Sequence, residues 1–89
     1  MTLNNEADEM GLGDLVPGDR ARVLRISSSD NLEVERYLLR LREMGFSIDV
    51  DLEMLGEAPI SKDPIRIRIR DGVYALRRSE ANFVRVTKI

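Results

Sequence analysis

Three short runs of alternating residues follow one amphipathic stretch in this chain, and that succession leaves few folds open to it. Asp49–Met54 reads DVDLEM, Ile65–Arg70 reads IRIRIR and Asn82–Ile89 reads NFVRVTKI. Successive side chains of a strand point to opposite faces, so a period of two marks a strand with one buried face. Val50, Leu52 and Met54, with Ile65, Ile67 and Ile69, form the expected buried set. Asp49, Asp51 and Glu53, with Arg66, Arg68 and Arg70, form the exposed set. An acidic stripe thus precedes a basic one, and the segment between them has hairpin length. Antiparallel pairing would set opposite charges against each other, each pair adding about 0.2–1 kcal/mol. The expected architecture is mainly β, a small barrel.

The flanking segments fit around these strands. Pro17-Gly18 is a turn signal, with Pro presetting φ and Gly allowing positive φ. Arg20–Ile26 reads as the first strand, but Ala21 and Val23 share one face while Leu24 and Ile26 share the other. A bulge or a strand buried on both faces would account for that. Asp30 with Glu33 fits an N-cap and its capping-box partner. Val34, Tyr37, Leu38, Leu41 and Met44 then form one apolar stripe of a helix over Glu33–Met44. Gly45 stands where a left-handed residue ends a helix. Leu55–Asp63 reads as a loop, and Asp71-Gly72 as a two-residue hairpin turn into Val73–Arg78, with Tyr74 and Leu76 inward. Ser79–Asn82 can form one helical turn capped by Ser79.

With 89 residues the chain makes one domain, and burial of roughly 60–65% of its unfolded surface suffices for a core without staples. Residues 1–13 hold Glu6, Asp8 and Glu9 with no basic residue, and read as a flexible acidic tail. Residues 14–89 read as the folded domain. That domain carries all 14 Lys and Arg and is close to neutral, unlike a generic polyanion binder. No run approaches the roughly 18 apolar residues of a membrane span, and the acidic N-terminus does not read as a signal peptide. A soluble, cytoplasmic protein is expected.

Composition also narrows the chemistry. The chain has no Cys and no His, so it lacks disulfides, thiolate metal sites and the usual near-neutral general base. The serines cluster in loops without an evident partner, and no phosphate-cradling glycine loop occurs. No enzyme activity and no cofactor are expected. The DxDxE run lacks the glycine turn of a calcium loop. Met44 and Met54 lie on apolar faces, and these two and Met10 are read as packing residues or at best soft ligands. No tight Fe²⁺ or Zn²⁺ site is therefore expected. The Arg66, Arg68 and Arg70 stripe is read as a solvated face neutralised by the acidic strand rather than a phosphate grip. Tyr37, Phe46, Tyr74 and Phe83 are the whole aromatic complement, too few for a base-stacking platform.

An ordered set of features carries a family resemblance. It runs from the Pro17-Gly18 turn through Leu41-Arg42-Glu43-Met44-Gly45-Phe46, Ala58-Pro59, Asp63-Pro64-Ile65, Leu76-Arg77-Arg78 and Glu80-Ala81 to Val84-Arg85-Val86. Between about Leu15 and Val86 the chain resembles the ferrous iron transport protein A family, usually called FeoA. One departure is plain: the family usually has a glycine after the helix, where this chain has Ile48-Asp49. The resemblance implies an SH3-like barrel with a helix between its first two strands. It also implies a cytoplasmic accessory protein of bacterial ferrous iron uptake, acting on the membrane GTPase transporter FeoB through that partner's soluble region. The expected partner patch is Met44, Gly45, Phe46, Leu76, Arg77 and Arg78, with Phe83. Leu76 and Met44 are expected to serve the core and Gly45 the cap. Phe46, Arg77, Arg78 and Phe83 are the expected exposed contacts, because aromatic residues and Arg are enriched at interfaces. The alternative is an SH3-like nucleic-acid-binding or metal-dependent repressor-associated domain.

Overall fold

The computed structural model describes residues 8–89. In chain order these form β1 (Glu9–Gly11), a 3-10 turn (Leu12–Asp14), β2 (Arg20–Ile26), α1 (Leu32–Met44), β3 (Asp51–Glu57), β4 (Ile65–Ile69), β5 (Gly72–Leu76), α2 (Arg78–Ala81) and β6 (Val84–Lys88). The strands make one six-stranded antiparallel sheet of order β1-β6-β2-β3-β4-β5. The fold is mainly β, as the alternation implies, and the sheet curls around its core without closing strand to strand.

The expected tail ends earlier than the sequence suggests. Its residues 1–7 lie outside the described residues, but Glu9–Gly11 pairs with β6 and Leu12 is fully buried. Two features hold this segment. Met10 packs against the core beside its register partner Val86, and Glu9 reaches two guanidinium groups. The 3-10 turn lies against α2, where a Cβ on Gly13 would sit 2.2 Å from the Arg78 carbonyl oxygen. Only a glycine permits that approach. With β1 counted, α1 connects the second and third strands rather than the first and second.

A bulge resolves the two-faced pattern of β2. Val23 pairs with Val86 and Arg25 with Arg85, leaving Leu24 as the extra residue. The insertion reverses the strand's parity, so Ala21 and Val23 point inward before it and Ile26 turns inward after it. A second bulge falls in β3, where Met54 pairs with Ile67 and Gly56 with Arg66. It extends β3 to Glu57, into the segment expected to be loop. Bulges bend the strands that carry them, which curls the sheet around Leu52, Met54, Ile65, Ile67 and Ile69. Val50, expected in the buried set, is only half-buried.

Helix α1 follows its stripe, with Leu38 and Leu41 fully buried and Val34, Tyr37 and Met44 packed at the margin. Its cap is Asn31 rather than Asp30. The Asn31 side-chain oxygen accepts from the backbone N–H of Glu33 at 2.9 Å and of Val34 at 3.1 Å. Glu35, not Glu33, reaches back, to the Ser29 N–H at 2.7 Å. Gly45 ends the helix at φ 115°, and the Phe46 N–H closes on the Leu41 carbonyl at 3.1 Å. Phe46 then drops into the core, fully buried, with its ring 6.4 Å from that of Tyr74. Where the family usually has a glycine, Asp49 takes φ 70°, a conformation that Asp tolerates better than bulkier residues.

Two turns shift by one residue from expectation. The β4–β5 turn is Arg70-Asp71, closed by the Ile69–Gly72 pair, with the positive φ at Arg70. Helix α2 starts at Arg78 with Arg77 as its N-cap, so Ser79 lies inside it and does not cap it.

Candidate partner-binding site

The outer faces of the strands test the stripe expectation. Glu53 pairs with Arg68 in register and by an ion pair of 3.3 Å. Asp51 instead meets Arg22 of β2 at 2.7 Å, and the Arg22 guanidinium holds its carboxyl below the usual range. Arg66 stands opposite Gly56 and not an acid, because the β3 bulge slips the register. Arg70 and Asp49 both lie in turns. Of the expected acid–base pairs, therefore, the register delivers one, and β2 supplies the partner for another acid.

The seven residues expected in the partner patch do not share one exposed face. Phe46 is fully buried and Leu76 is 3% exposed. Gly45 serves as the helix cap. Arg78, expected to be an exposed contact, is a structural tie. Its Nη1 donates to the carbonyls of Gly13 at 2.7 Å and Leu15 at 3.1 Å, and its Nε to that of Lys62 at 2.8 Å. Its Nη2 pairs with Glu57, and its backbone N–H donates to the Asp63 carboxylate at 2.9 Å. One planar fork thus fastens the 3-10 turn to α2 and to the β3–β4 loop, a geometry that lysine cannot reproduce.

The remaining members do converge. Met44, Leu76 and Arg77 line a groove of about 450 Å³ together with Tyr37, Arg40, Pro64, Ala75 and Glu80. Phe83 lines an adjoining hollow of about 210 Å³, and Tyr37 and Glu80 border both. The groove therefore runs between α1 on one side and β5 and α2 on the other. Arg77 is exposed, whereas Phe83 is half-buried against the core.

Tyr37, expected only as part of the apolar stripe of α1, also lines the groove. Its hydroxyl is buried without a hydrogen-bond partner among the described residues. Burial, with the nearby Glu80 charge, pushes its pKa up to about 12, against a smaller opposing effect of Arg40. The phenol is therefore a neutral donor at physiological pH. A tyrosine on an otherwise aliphatic stripe was the available signal, because such a side chain couples an apolar body to a polar tip that needs a partner.

Among the described residues no group of three or more acids could hold a metal ion, and no helix is long and apolar enough to cross a membrane. The groove offers apolar surface, two guanidinium groups, one carboxylate and one unpartnered hydroxyl, which suits recognition of a polypeptide.

Known structures share this architecture. The FeoA of Stenotrophomonas maltophilia, described as complexed with zinc and as a prokaryotic SH3 domain protein, is 31% identical, with a TM-score of 0.73 over 86% of this chain and 88% of that one. The FeoA protein of Chlorobium tepidum is 29% identical, with a TM-score of 0.75 over 90% of this chain and 70% of that one. A manganese-dependent transcriptional repressor is 23% identical, with a TM-score of 0.71 over 91% of this chain and 42% of that one, a likeness of fold alone. No curated protein matches the chain. The family model of the FeoA domain matches residues 10–88, from the middle of β1 to the end of β6, and the chain belongs to that family.

Proposed function

We propose that this protein is a cytoplasmic accessory protein of bacterial ferrous iron uptake, without catalysis of its own, that binds the GTPase-bearing cytoplasmic region of the membrane transporter. The observation that carries this reading is the match to the FeoA domain over residues 10–88. The S. maltophilia relative is described as a candidate activating factor for bacterial ferrous iron transport. The site chemistry agrees with a binding role. The groove between α1 and α2 presents surface and hydrogen-bonding capacity but no nucleophile–base pair.

The repressor-associated alternative has less support. Its structural basis is a likeness of fold, and folds of this kind host many functions. On the outer face Arg22 and Arg68 are already paired with Asp51 and Glu53, which weakens any phosphate-gripping stripe.

Affinity capture from membranes with tagged protein tests the proposal. Recovery of the ferrous iron transporter in at least one nucleotide state supports it. Salt-sensitive retention of DNA or RNA in its place would support the alternative, since phosphate binding weakens steeply with salt.

A further inference from the structure

We infer that the free edge of β5 is a docking strand, and that it takes an extended segment of the partner protein in which apolar side chains alternate with acidic ones. This rests on the partner reading above and specifies its mode.

The hydrogen-bond pattern of the β4–β5 hairpin decides which backbone groups of β5 face the sheet edge. Its turn is Arg70-Asp71, so the closing pair Ile69–Gly72 is a hydrogen-bonded one. Alternation along an antiparallel ladder then makes Ile67–Tyr74 and Ile65–Leu76 hydrogen-bonded pairs as well. The backbone groups of Val73 and Ala75 therefore point away from β4. Among the described residues β5 is the last strand of the sheet, so two N–H and two C=O groups face outward there with no described strand to meet them.

Natural sheets blunt such edges with charge, proline, bulges or extreme shortness. The opposite edge follows that rule. β1 has three residues, and its Glu9 is engaged by Arg25 and Arg85. β5 does not follow it. Gly72–Leu76 contains no charge and no proline, its register with β4 is unbroken, and Val73 is 53% exposed.

The surroundings select the occupant. Ala75 and Leu76 line the groove that faces α1, so the inward side chains of an added strand would enter the apolar space beside Tyr37 and Met44. Arg40 and Arg77 border the same groove, both exposed and without an ion pair among the described residues. On the outer face Arg66, the register neighbour of Ala75, also has no ion pair among the described residues. With Arg40 and Arg77 adding positive charge at the groove border, Arg66 calls for acids at the outward positions of the incoming strand. A second copy of β5 carries none, which disfavours self-pairing.

Amide hydrogen exchange followed by NMR tests this, with the purified GTPase-bearing region of the ferrous iron transporter as probe. The expected result is at least tenfold slower exchange at Val73 and Ala75 in the complex, while Tyr74 and Leu76 are protected in the free protein already. Ala75→Pro removes an outward N–H and leaves the β4–β5 ladder bonds intact, and is expected to weaken binding at least tenfold. Cross-strand contacts between β4 and β5 confirm that the variant folds. Undiminished binding by Ala75→Pro, with unchanged exchange at Val73, would overturn the docking strand and leave the partner reading standing. Protection at Val73 that grows with protein concentration in the absence of the probe would overturn the occupant in favour of a second copy. Absence of binding by the unaltered protein would overturn both.

Discussion

Arg25 and Arg85 stand directly opposite each other on β2 and β6, two like charges in register that the Glu9 carboxylate holds together from β1. Arg25 meets it through both terminal nitrogens at 2.7 Å, and Arg85 through Nε at 2.9 Å. Like charges directly opposite one another destabilise a sheet, so β1 does more than extend it. The strand supplies the countercharge that makes the β2–β6 pairing acceptable.

Glu9→Gln is therefore expected to lower the denaturation midpoint and speed amide exchange in β1. The pH dependence has a definite sign. Arg25 and then Arg85 hold the Glu9 carboxyl below its ordinary value, and Arg22 does the same for Asp51. Stability from a depressed carboxyl is complete above its unfolded pKa of about 4 and is lost as pH falls through the folded value. Denaturation between pH 7 and 2 should show a steeper acid loss for the wild type than for Glu9→Gln.

Tyr37 works at the other end of the scale. Its folded pKa of about 12 lies above the ordinary value, so its contribution is complete below about pH 10 and declines as pH rises toward 12. Absorbance titration near 295 nm should lose one late-ionising phenol in Tyr37→Phe. The same substitution removes a buried hydroxyl that has no partner among the described residues, so stability is expected to hold or rise slightly.

Arg78→Ala should cost roughly 2–3 kcal/mol, because one guanidinium serves three backbone carbonyls and Glu57. Arg78→Lys keeps the charge but not the fork and is expected to recover less than half of that loss. Urea denaturation measures both. Full recovery by Lys would show that charge, and not geometry, matters there.

Arg68→Glu would set Glu beside Glu53, yet both side chains are well exposed. The expected cost is under about 1 kcal/mol. A loss several times larger would mean that the outer-face charges couple more strongly than one exposed pair allows.

Asp49→Gly should match or slightly exceed the wild-type stability, while Asp49→Val should cost about 1–2 kcal/mol, since a β-branched residue resists positive φ. Thermal denaturation of both variants checks this.

Sequence periodicity carried much of this architecture, and its failures have physical causes. Regular alternation made Leu52, Met54, Ile65, Ile67 and Ile69 legible as core, and the three–four spacing placed α1 to within a residue. The Leu24 bulge was legible only as an irregularity, because a parity change looks the same as a strand buried on both faces. Strand β1 was invisible, since three residues give no period and its anchors lie far along the chain at Arg25 and Arg85. The site was less legible than the fold. Composition marks Phe46 and Arg78 as interface types, but burial of Phe46 and the fork of Arg78 depend on chain segments that converge only on folding. Met44, Leu76 and Arg77 do come together, around a tyrosine whose apolar spacing concealed its polar end.

The most direct test of the account is an NMR titration of isotope-labelled protein with the GTPase-bearing cytoplasmic region of the ferrous iron transporter. Shifts are expected in the groove and along the β5 edge, at Tyr37, Arg40, Met44, Val73, Ala75, Leu76, Arg77 and Phe83, with the signals of Glu9, Arg25 and Arg85 unmoved. Absence of any shift in every nucleotide state, together with absence of association with the full-length transporter in membranes, would contradict it.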